Sequence, residues 1–292
     1  AAIVPIGRLQ SIQQDVAELK GSGILNDFQL RIVDSIYRLD EPETDFEIRS
    51  LIIVASPSAA SAKLTFAWNG KRIPLTLPAA YVDNAASPAR VERYLRAFLD
   101  PSGYHVQHAP RLPRKLLAVR SGLGLYGKNN ICYVEGMGSY LNLAPYVSDI
   151  PAQEAGWHDI GHMELCHTCR ACLRNCPTGA IMQTRFLIDN ERCLTYFNEA
   201  GREWEFPEWL DPSVHHTLYG CAQCQAVCPV NKEYLVNTTE AAEFTEEETS
   251  LLLEGEPYER FPEKLKQKVK ALDMIKYLGA LPRNMRVLLA RA

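Results

Sequence analysis

The stretch CHTCRACLRNCP, residues 166–177, carries the strongest structural signal in this chain. Its four cysteines are separated by two, two and three residues, and a proline follows the last one. The stretch CAQCQAVCP, residues 221–229, has the same ending but lacks the first cysteine of the pattern. Cys193, in the segment RCLTY, lies between the two stretches and can complete the second set. Eight of the nine cysteines therefore lie between residues 166 and 228.

This spacing predicts two iron–sulfur clusters with crossed ligands. Three cysteines two residues apart wrap a tight loop, so that three thiolates converge on one 4Fe–4S cubane, as in bacterial ferredoxins. The fourth cysteine, which precedes the proline, points towards the other cubane. The predicted ligands are Cys166, Cys169, Cys172 and Cys228 for the first cluster, and Cys176, Cys193, Cys221 and Cys224 for the second.

Zinc is the competing interpretation, because two C-x2-C pairs also form tetrahedral sites. A zinc site needs only four ligands and does not require the paired C-x3-C-P endings, so the spacing favours iron–sulfur clusters. The ninth cysteine, Cys132, follows two asparagines on a predicted strand, and we expect it to be a small buried residue. Clustered cysteines in a chain without a visible export signal predict metal ligation in a reducing compartment, the cytoplasm.

Composition excludes several classes of protein. The 292 residues are 47% hydrophobic and 23% charged, which is typical of a globular protein rather than a disordered, collagen-like or coiled-coil one. No apolar run approaches the ~20 residues of a membrane span, so no membrane association is predicted. The opening segment, AAIVPIGRLQ, shows no signal-peptide pattern. The formal net charge of −4 argues against a strongly basic nucleic-acid binder but leaves local basic patches open.

Helix and strand patterns alternate before the cysteines. Residues 51–55 form an apolar strand, and residues 64–77 predict a hairpin around the Asn69-Gly70 turn. A helix is predicted over 113–120, ending before Gly122. The sequence thus predicts an α+β fold. Its predicted parts are a mixed α/β domain at 1–160, a ferredoxin-like two-cluster domain at 161–232 and a short helical tail at 233–292.

Charge is distributed unevenly along the chain. Residues 101–134 contain five Lys or Arg and no Asp or Glu, so this stretch either faces an anionic ligand or is a solvated helix face. In the tail, nine Glu lie within 237–263, whereas residues 264–291 contain eight Lys or Arg. Two interpretations remain open for the tail: the acidic and basic faces pair with each other, or the basic end contacts RNA.

Several segments resemble epoxyqueuosine reductases. They are SGLGLYGKNN at 121–130, GSY at 138–140, VSDIP at 147–151, the cysteine stretches in their order, and LGALPRN at 278–284. The similarity covers most of residues 105–232 and is faint before residue 100. It implies a cobalamin-dependent reductase in which two 4Fe–4S clusters supply electrons for removal of the epoxide oxygen from a modified tRNA base. A related cofactor arrangement occurs in reductive dehalogenases.

The resemblance also implies site residues and partners. The residues expected to line the corrinoid, in a cobalamin-binding-like α/β domain, are Gly122, Gly124, Tyr126, Gly127, Lys128 and Asn129. Glycines allow the backbone to approach a flat ligand closely. The implied partners are tRNA, for which the basic residues of 264–291 are candidates, and an external electron donor such as ferredoxin or flavodoxin.

Two departures from the family leave the substrate open. The family has an aspartate, its expected proton donor, 14 residues before the first glycine of GLG, where this chain has His108. A histidine can also donate a proton, although a lone histidine can equally be structural. A basic and aromatic stretch of the family is replaced at 79–84. Three functions therefore compete: reduction of epoxyqueuosine, reduction of a different small substrate by the same cofactors, and electron transfer to a corrinoid.

Overall fold

The computed structural model describes residues 1–58, 60–82, 86–154, 156–184, 186–234 and 238–291. Its strands are β1 Ala2–Pro5, β2 Ser50–Pro57, β3 Ser61–Trp68, β4 Lys71–Leu77, β5 Val106–His108, β6 Leu125–Tyr126, β7 Cys132–Tyr133, β8 Leu141–Ser148 and β9 Thr238–Phe244. Its α-helices are α1 Arg8–Gly21, α2 Asp27–Arg31, α3 Ala86–Leu99, α4 Arg114–Arg120, α5 Ala171–Arg174, α6 Leu194–Glu199, α7 Gln223–Ala226, α8 Glu246–Glu254, α9 Glu263–Ala271 and α10 Leu281–Leu289. The predicted mixture of helices and strands is confirmed.

The residues form two compact units that do not follow the predicted domain boundaries. The first unit contains residues 1–57, 85–173 and 181–191, and the second contains 58–84, 174–180 and 192–292. The predicted hairpin, within 58–84, thus belongs with the C-terminal residues and not with the α/β region. The first cysteine stretch is also divided, because 166–173 lies in the first unit and 174–177 in the second, whereas 221–229 lies wholly in the second.

The first unit is built on a four-stranded antiparallel sheet with the order β1-β2-β8-β5. The predicted strand at 51–55 is the centre of β2, whose apolar residues are mostly buried against β8. Helix α4 packs on β2 and β8 and contributes Leu117, Ala118 and Val119 to the core. After α4 the chain turns at Gly122, whose φ of +73° suits glycine. The segment after this turn forms the short β6–β7 hairpin, with Cys132 buried as predicted.

The second unit is built on a three-stranded sheet with the order β4-β3-β9. Strands β3 and β4 form the predicted hairpin, and Asn69 and Gly70 have the positive φ values, 49° and 72°, that a two-residue turn requires. Strand β9 pairs with β3 in parallel. The tail at 233–292 therefore contains a strand besides its predicted helices. Apolar residues of α8, α9 and α10 pack with this sheet in one core.

Lys268 joins the acidic and basic blocks of the tail, as the first of the two interpretations expects, whereas Glu240 and Glu243 pair with Lys63 and Arg72 outside the tail. Lys268 of α9 donates to the carboxylate of Glu248 in α8 at 2.5 Å and to the backbone oxygen of Glu243 at 2.6 Å. Lys266 donates to the backbone oxygen of Glu259. Lys264 and Lys270 of the same helix are exposed. Within the part of the chain that the structure describes, no helix has the length and apolar composition needed to cross a membrane.

Candidate functional site

The cysteines of both stretches have chemistry suited to metal ligation. All nine cysteines of the chain lie within the described residues and are outside any disulfide. Among the described residues, no three His, Cys, Asp or Glu side chains are close enough to hold a single metal ion. The assignment of the clusters therefore depends on the cysteine spacing and on the family match reported below.

All four predicted ligands of the second cluster, Cys176, Cys193, Cys221 and Cys224, belong to the second unit. Burial raises the pKa of the Cys193 thiol, hydrogen bonds with Thr195 lower it, and Cys221 and Cys176 raise it. Burial likewise raises the pKa of Cys221 to about 11, with a contribution from Cys176. A bound cationic metal centre would stabilise the thiolate form of such thiols.

The loop that holds two predicted ligands of the second cluster, Cys221 and Cys224, is tightly turned. Ala222, between Cys221 and Cys224, has a φ of +57°, in the left-handed region that residues other than glycine rarely adopt. Such a conformation costs roughly 1–2 kcal/mol. The surrounding contacts must therefore hold the loop in this shape. Cys224 is the second residue of α7. The loop and the helix together therefore set the spacing between Cys221 and Cys224.

The residues at 122–129 that are predicted to line the corrinoid have different surroundings in the structure. A Cβ atom on Gly124 or Gly127 would lie within 3.0 Å of atoms of Cys132 or Tyr133, and one on Gly122 would meet His158. These glycines are thus required by close packing within the chain itself. Asn129 is buried and donates to the hydroxyl of Tyr133 at 3.0 Å, which makes it part of the same hairpin.

Lys128 contacts a predicted cluster ligand, and Tyr126 lines a cavity. The backbone N–H of Lys128 donates to the Sγ atom of Cys166 over 3.4 Å, and its Nζ atom donates to the backbone oxygen of Gln183. A hydrogen bond to a ligand sulfur is one way in which proteins adjust a cluster's potential. Tyr126 and Asn130, which flank this contact, line a cavity of about 430 Å³ in the first unit.

This cavity, hereafter the Lys115 cavity, has mostly apolar walls and one amine. Its lining includes Val16, Leu19, Tyr37, Lys115, Tyr126, Asn130 and Phe186. Lys115 Nζ donates to the backbone oxygen of Asn130 at 2.8 Å and to its side-chain oxygen at 3.0 Å. Burial lowers the pKa of the Lys115 amine to about 8, and the neighbouring Arg114 adds to this effect. A cavity that contains a titratable group of shifted pKa is a candidate reaction site.

Sequence patterns alone do not single out Lys115. The only signal for it was the run of basic residues at 101–134, of which it is one of five. Its position in the cavity depends on α4 packing beside the turn at 127–130, which is a tertiary contact. An ammonium group near the edge of an apolar cavity can donate a hydrogen bond or a proton to an oxygen that gains negative charge.

His108, the proton donor suggested by alignment, lies on the edge strand β5. It pairs with Tyr146 of β8, and the two rings are 5.2 Å apart. Burial lowers the pKa of His108. The nearby Glu92 raises this pKa and Arg114 lowers it. The neutral imidazole is therefore favoured. His108 is not among the described residues that line the Lys115 cavity. Its proposed role as proton donor stays a prediction.

Comparison with known proteins identifies the cluster domain. The family described as a 4Fe-4S double cluster binding domain matches residues 165–231, a range that contains all eight predicted ligands. The epoxyqueuosine reductase of Shewanella oneidensis is 36% identical over 127 residues, covering 44% of this chain and 30% of that protein. The enzyme of the same name from Synechocystis is 34% identical over 150 residues, covering 51% and 50%. The matched segments thus span no more than half the length of these relatives.

Solved structures show the same fold. Epoxyqueuosine reductase from Bacillus subtilis covers 99% of this chain and 76% of its own, with a TM-score of 0.66 and 18% identity. An epoxyqueuosine reductase with an epoxyqueuosine-modified tRNA stem loop has the same coverage, a TM-score of 0.63 and 17% identity. A catabolic reductive dehalogenase covers 82% of this chain with a TM-score of 0.42. The chain contains a 4Fe–4S double cluster binding domain, is homologous to epoxyqueuosine reductases over about half its length, and shares their fold.

Proposed function

We propose that this chain is a corrinoid-dependent iron–sulfur oxidoreductase that resembles epoxyqueuosine reductase. Its proposed substrate is epoxyqueuosine in tRNA or a closely related compound. The homologous relatives have this activity in their names, and one solved structure of the same fold has an epoxyqueuosine-modified tRNA stem loop. We further propose the cytoplasm as its location, because thiolate ligands outside disulfides persist in a reducing compartment.

The turn at residues 126–130 is the observation that carries this proposal. One end of the turn, Tyr126, and the other, Asn130, line the Lys115 cavity. Between them, the N–H of Lys128 donates to the sulfur of Cys166, a predicted ligand of the first cluster. A single five-residue turn therefore contacts both the electron source and the cavity in which a substrate group can bind. Reduction at this cavity needs no long path for the electrons.

The stoichiometry of the proposed reaction matches the groups of the chain. Removal of an epoxide oxygen as water, which leaves an alkene, consumes two electrons and two protons. Two clusters that each carry one electron match the electron count. The ammonium group of Lys115 supplies one proton to the oxygen as its bond to carbon breaks, and solvent supplies the other. With a pKa of about 8, the amine is mostly protonated near pH 7 and can still release its proton.

Of the residues predicted to line a corrinoid, Tyr126 lies in the wall of the Lys115 cavity and would contact the edge of the macrocycle there, whereas the three glycines are occupied by packing within the chain. The cavity of about 430 Å³ is too small to enclose a whole corrinoid, so the macrocycle would have to lie outside it. When bound, a corrinoid supplies a low-potential centre for bond reduction, which one-electron clusters by themselves lack. An external donor such as ferredoxin or flavodoxin is the proposed source of electrons.

Reduction of a different small substrate is the second candidate function. The segment at 79–84 replaces the family's basic and aromatic stretch, and its residues 83 and 84 lie outside the described part of the chain. Of its described residues, Tyr81 and Val82 pack against the core of the second unit. A chain that has lost these groups has fewer contacts for a nucleic acid. The third candidate, electron transfer to a corrinoid, needs neither the Lys115 cavity nor a proton donor, and the geometry favours it least.

Cobalamin binding tests the proposed function directly. The protein is purified without oxygen, and its visible spectrum is recorded before and after addition of cobalamin. We expect the added cobalamin to co-elute with the protein and its spectrum to change on binding. The complex should then convert an epoxyqueuosine-containing stem loop when a reductant is supplied. Failure to bind cobalamin would overturn the corrinoid proposal, and binding with turnover of small epoxides alone would select the second candidate.

Affinity for tRNA should depend on the exposed lysines of α9. If Lys264 and Lys270 contact phosphates, replacing both by glutamine should reduce the slope of log affinity against log salt by about one to two. Filter binding of a tRNA stem loop at several salt concentrations measures this slope. Lys268→Gln is the matched control, because its amine is already paired with Glu248 and should change the slope little. No binding at low salt would remove tRNA as a partner.

A further inference from the structure

Tyr81 presses against the backbone that leads into a predicted cluster ligand. It ends a short 3-10 turn, Ala79–Tyr81, directly after β4. A Cβ atom on Gly220 would lie only 2.3 Å from the Tyr81 ring, and Gly220 has a φ of +68°. The ring therefore occupies the space that any side chain at position 220 would need. The next residue in the chain is Cys221.

Hydrogen bonds also hold the peptide group between Gly220 and Cys221. The backbone oxygen of Gly220 accepts from Nδ2 of Asn198 at 2.8 Å and from the hydroxyl of Thr217 at 3.2 Å. Two further tyrosines support the ring of Tyr81 by edge contacts, Tyr219 at 5.2 Å and Tyr277 at 5.6 Å between centroids. The peptide before Cys221 is thus fixed between a ring and two donors.

The hydroxyl of Tyr81 extends this contact to the helix that follows another predicted ligand. It donates to the carboxylate of Glu199, the last residue of α6. Cys193 is the N-cap residue of this helix. Although Glu199 as a residue is exposed, its carboxyl lies among packed atoms that raise its pKa, while the Tyr81 hydroxyl and Lys276 oppose this shift.

We propose that Tyr81, oriented by Glu199, is a positioning residue for the second 4Fe–4S cluster. Its ring holds the loop of Cys221, and its hydroxyl ties that loop to the helix that begins at Cys193. The inference depends on the assignment of Cys176, Cys193, Cys221 and Cys224 as ligands of the second cluster. It assigns a role to Tyr81, which lies in a segment where this chain departs from the family.

Iron content tests the role of the ring. Tyr81→Ala should reduce the iron of the anaerobically purified protein from about eight per chain to about four, because only the second cluster loses its support. Gly220→Ala should cause the same loss, since its methyl group would overlap the ring. Tyr258→Phe, in the same unit, is the matched control and should keep all the iron.

The potentials of the clusters test the role of the hydroxyl. Tyr81→Phe keeps the ring, so the iron content should stay at about eight per chain. Loss of the donated hydrogen bond favours the neutral form of Glu199. Because a negative charge near the second cluster is then lost, the midpoint potential of that cluster should become more positive. The potential of the first cluster should stay unchanged. Glu199→Gln, which removes the charge, should shift the same potential in the same direction. Titration followed by electron paramagnetic resonance separates the two clusters.

The outcomes distinguish this inference from the cluster assignment. Wild-type protein that holds only one cluster, or zinc, would overturn the assignment and the inference together. Wild-type protein with about eight irons, combined with unchanged iron in Tyr81→Ala and unchanged potentials in Tyr81→Phe and Glu199→Gln, would overturn the positioning role alone.

Discussion

Replacing Lys115 by methionine should lower turnover at pH 7 by about 10²–10⁴-fold, the range typical of a lost general acid. Methionine retains an apolar chain of similar length, so the walls of the Lys115 cavity should stay packed. Single-turnover measurement with protein of equal iron content isolates this effect. Because Lys115 also holds the backbone of Asn130, unchanged melting temperature and unchanged iron content are needed to show that the turn is intact.

The pH dependence of turnover identifies the proton donor. The wild-type rate should fall as pH rises through about 8, because the Lys115 ammonium, whose pKa burial and Arg114 lower to that value, loses its proton there. Lys115→Arg should remove this alkaline limb, since a guanidinium stays charged. His108→Ala should lower turnover by about 10²–10⁴-fold only if His108 is the donor. Full turnover in Lys115→Met together with loss in His108→Ala would transfer the role to His108.

Replacing Cys193 by serine should remove one of the two clusters. Iron should fall from about eight to about four per chain, because Cys193 is one of the four predicted ligands of the second cluster and no spare cysteine is predicted to replace it. Iron analysis with electron paramagnetic resonance of the reduced protein measures the loss. The signal of the first cluster should persist.

Cys132→Ser is the matched control for this experiment. Burial raises the pKa of Cys132 to about 11, so that its thiol stays protonated within the core of the first unit. Its replacement should leave the iron content unchanged. Unchanged iron in Cys193→Ser, or stoichiometric zinc in the wild-type protein, would contradict the two-cluster assignment.

Local patterns predicted the features that depend on residues close together in the chain. The Asn69-Gly70 pair predicted the β3–β4 hairpin because both residues accept positive φ, and the structure has that turn. The helix predicted over 113–120 is present as α4, and the glycine after it has the expected conformation. The cysteine spacing likewise predicted the cluster-binding range that the family match covers.

Long-range pairing accounts for the features that sequence patterns missed. Strand β9 pairs with β3 although some 170 residues separate them, and its sequence, TTEAAEF, has no apolar alternation that would predict a strand. The same pairing places the hairpin of β3 and β4 with the C-terminal residues and not with the α/β region that precedes and follows it. Periodicity reports only which face of an element is apolar, and it does not report which partner covers that face.

By itself, the sequence determined the ligand chemistry, because a cluster-binding loop requires thiolates at fixed short spacings along one strand of chain. It also determined the positions where the backbone must turn at glycine. Only the tertiary structure decided which side chains surround these loops. Lys115 reaches a cavity beside the turn that contacts Cys166, and Tyr81 reaches the peptide before Cys221 from a distant segment. Such neighbours are set by packing between elements far apart in the chain, and packing leaves no spacing pattern in the residues that take part in it.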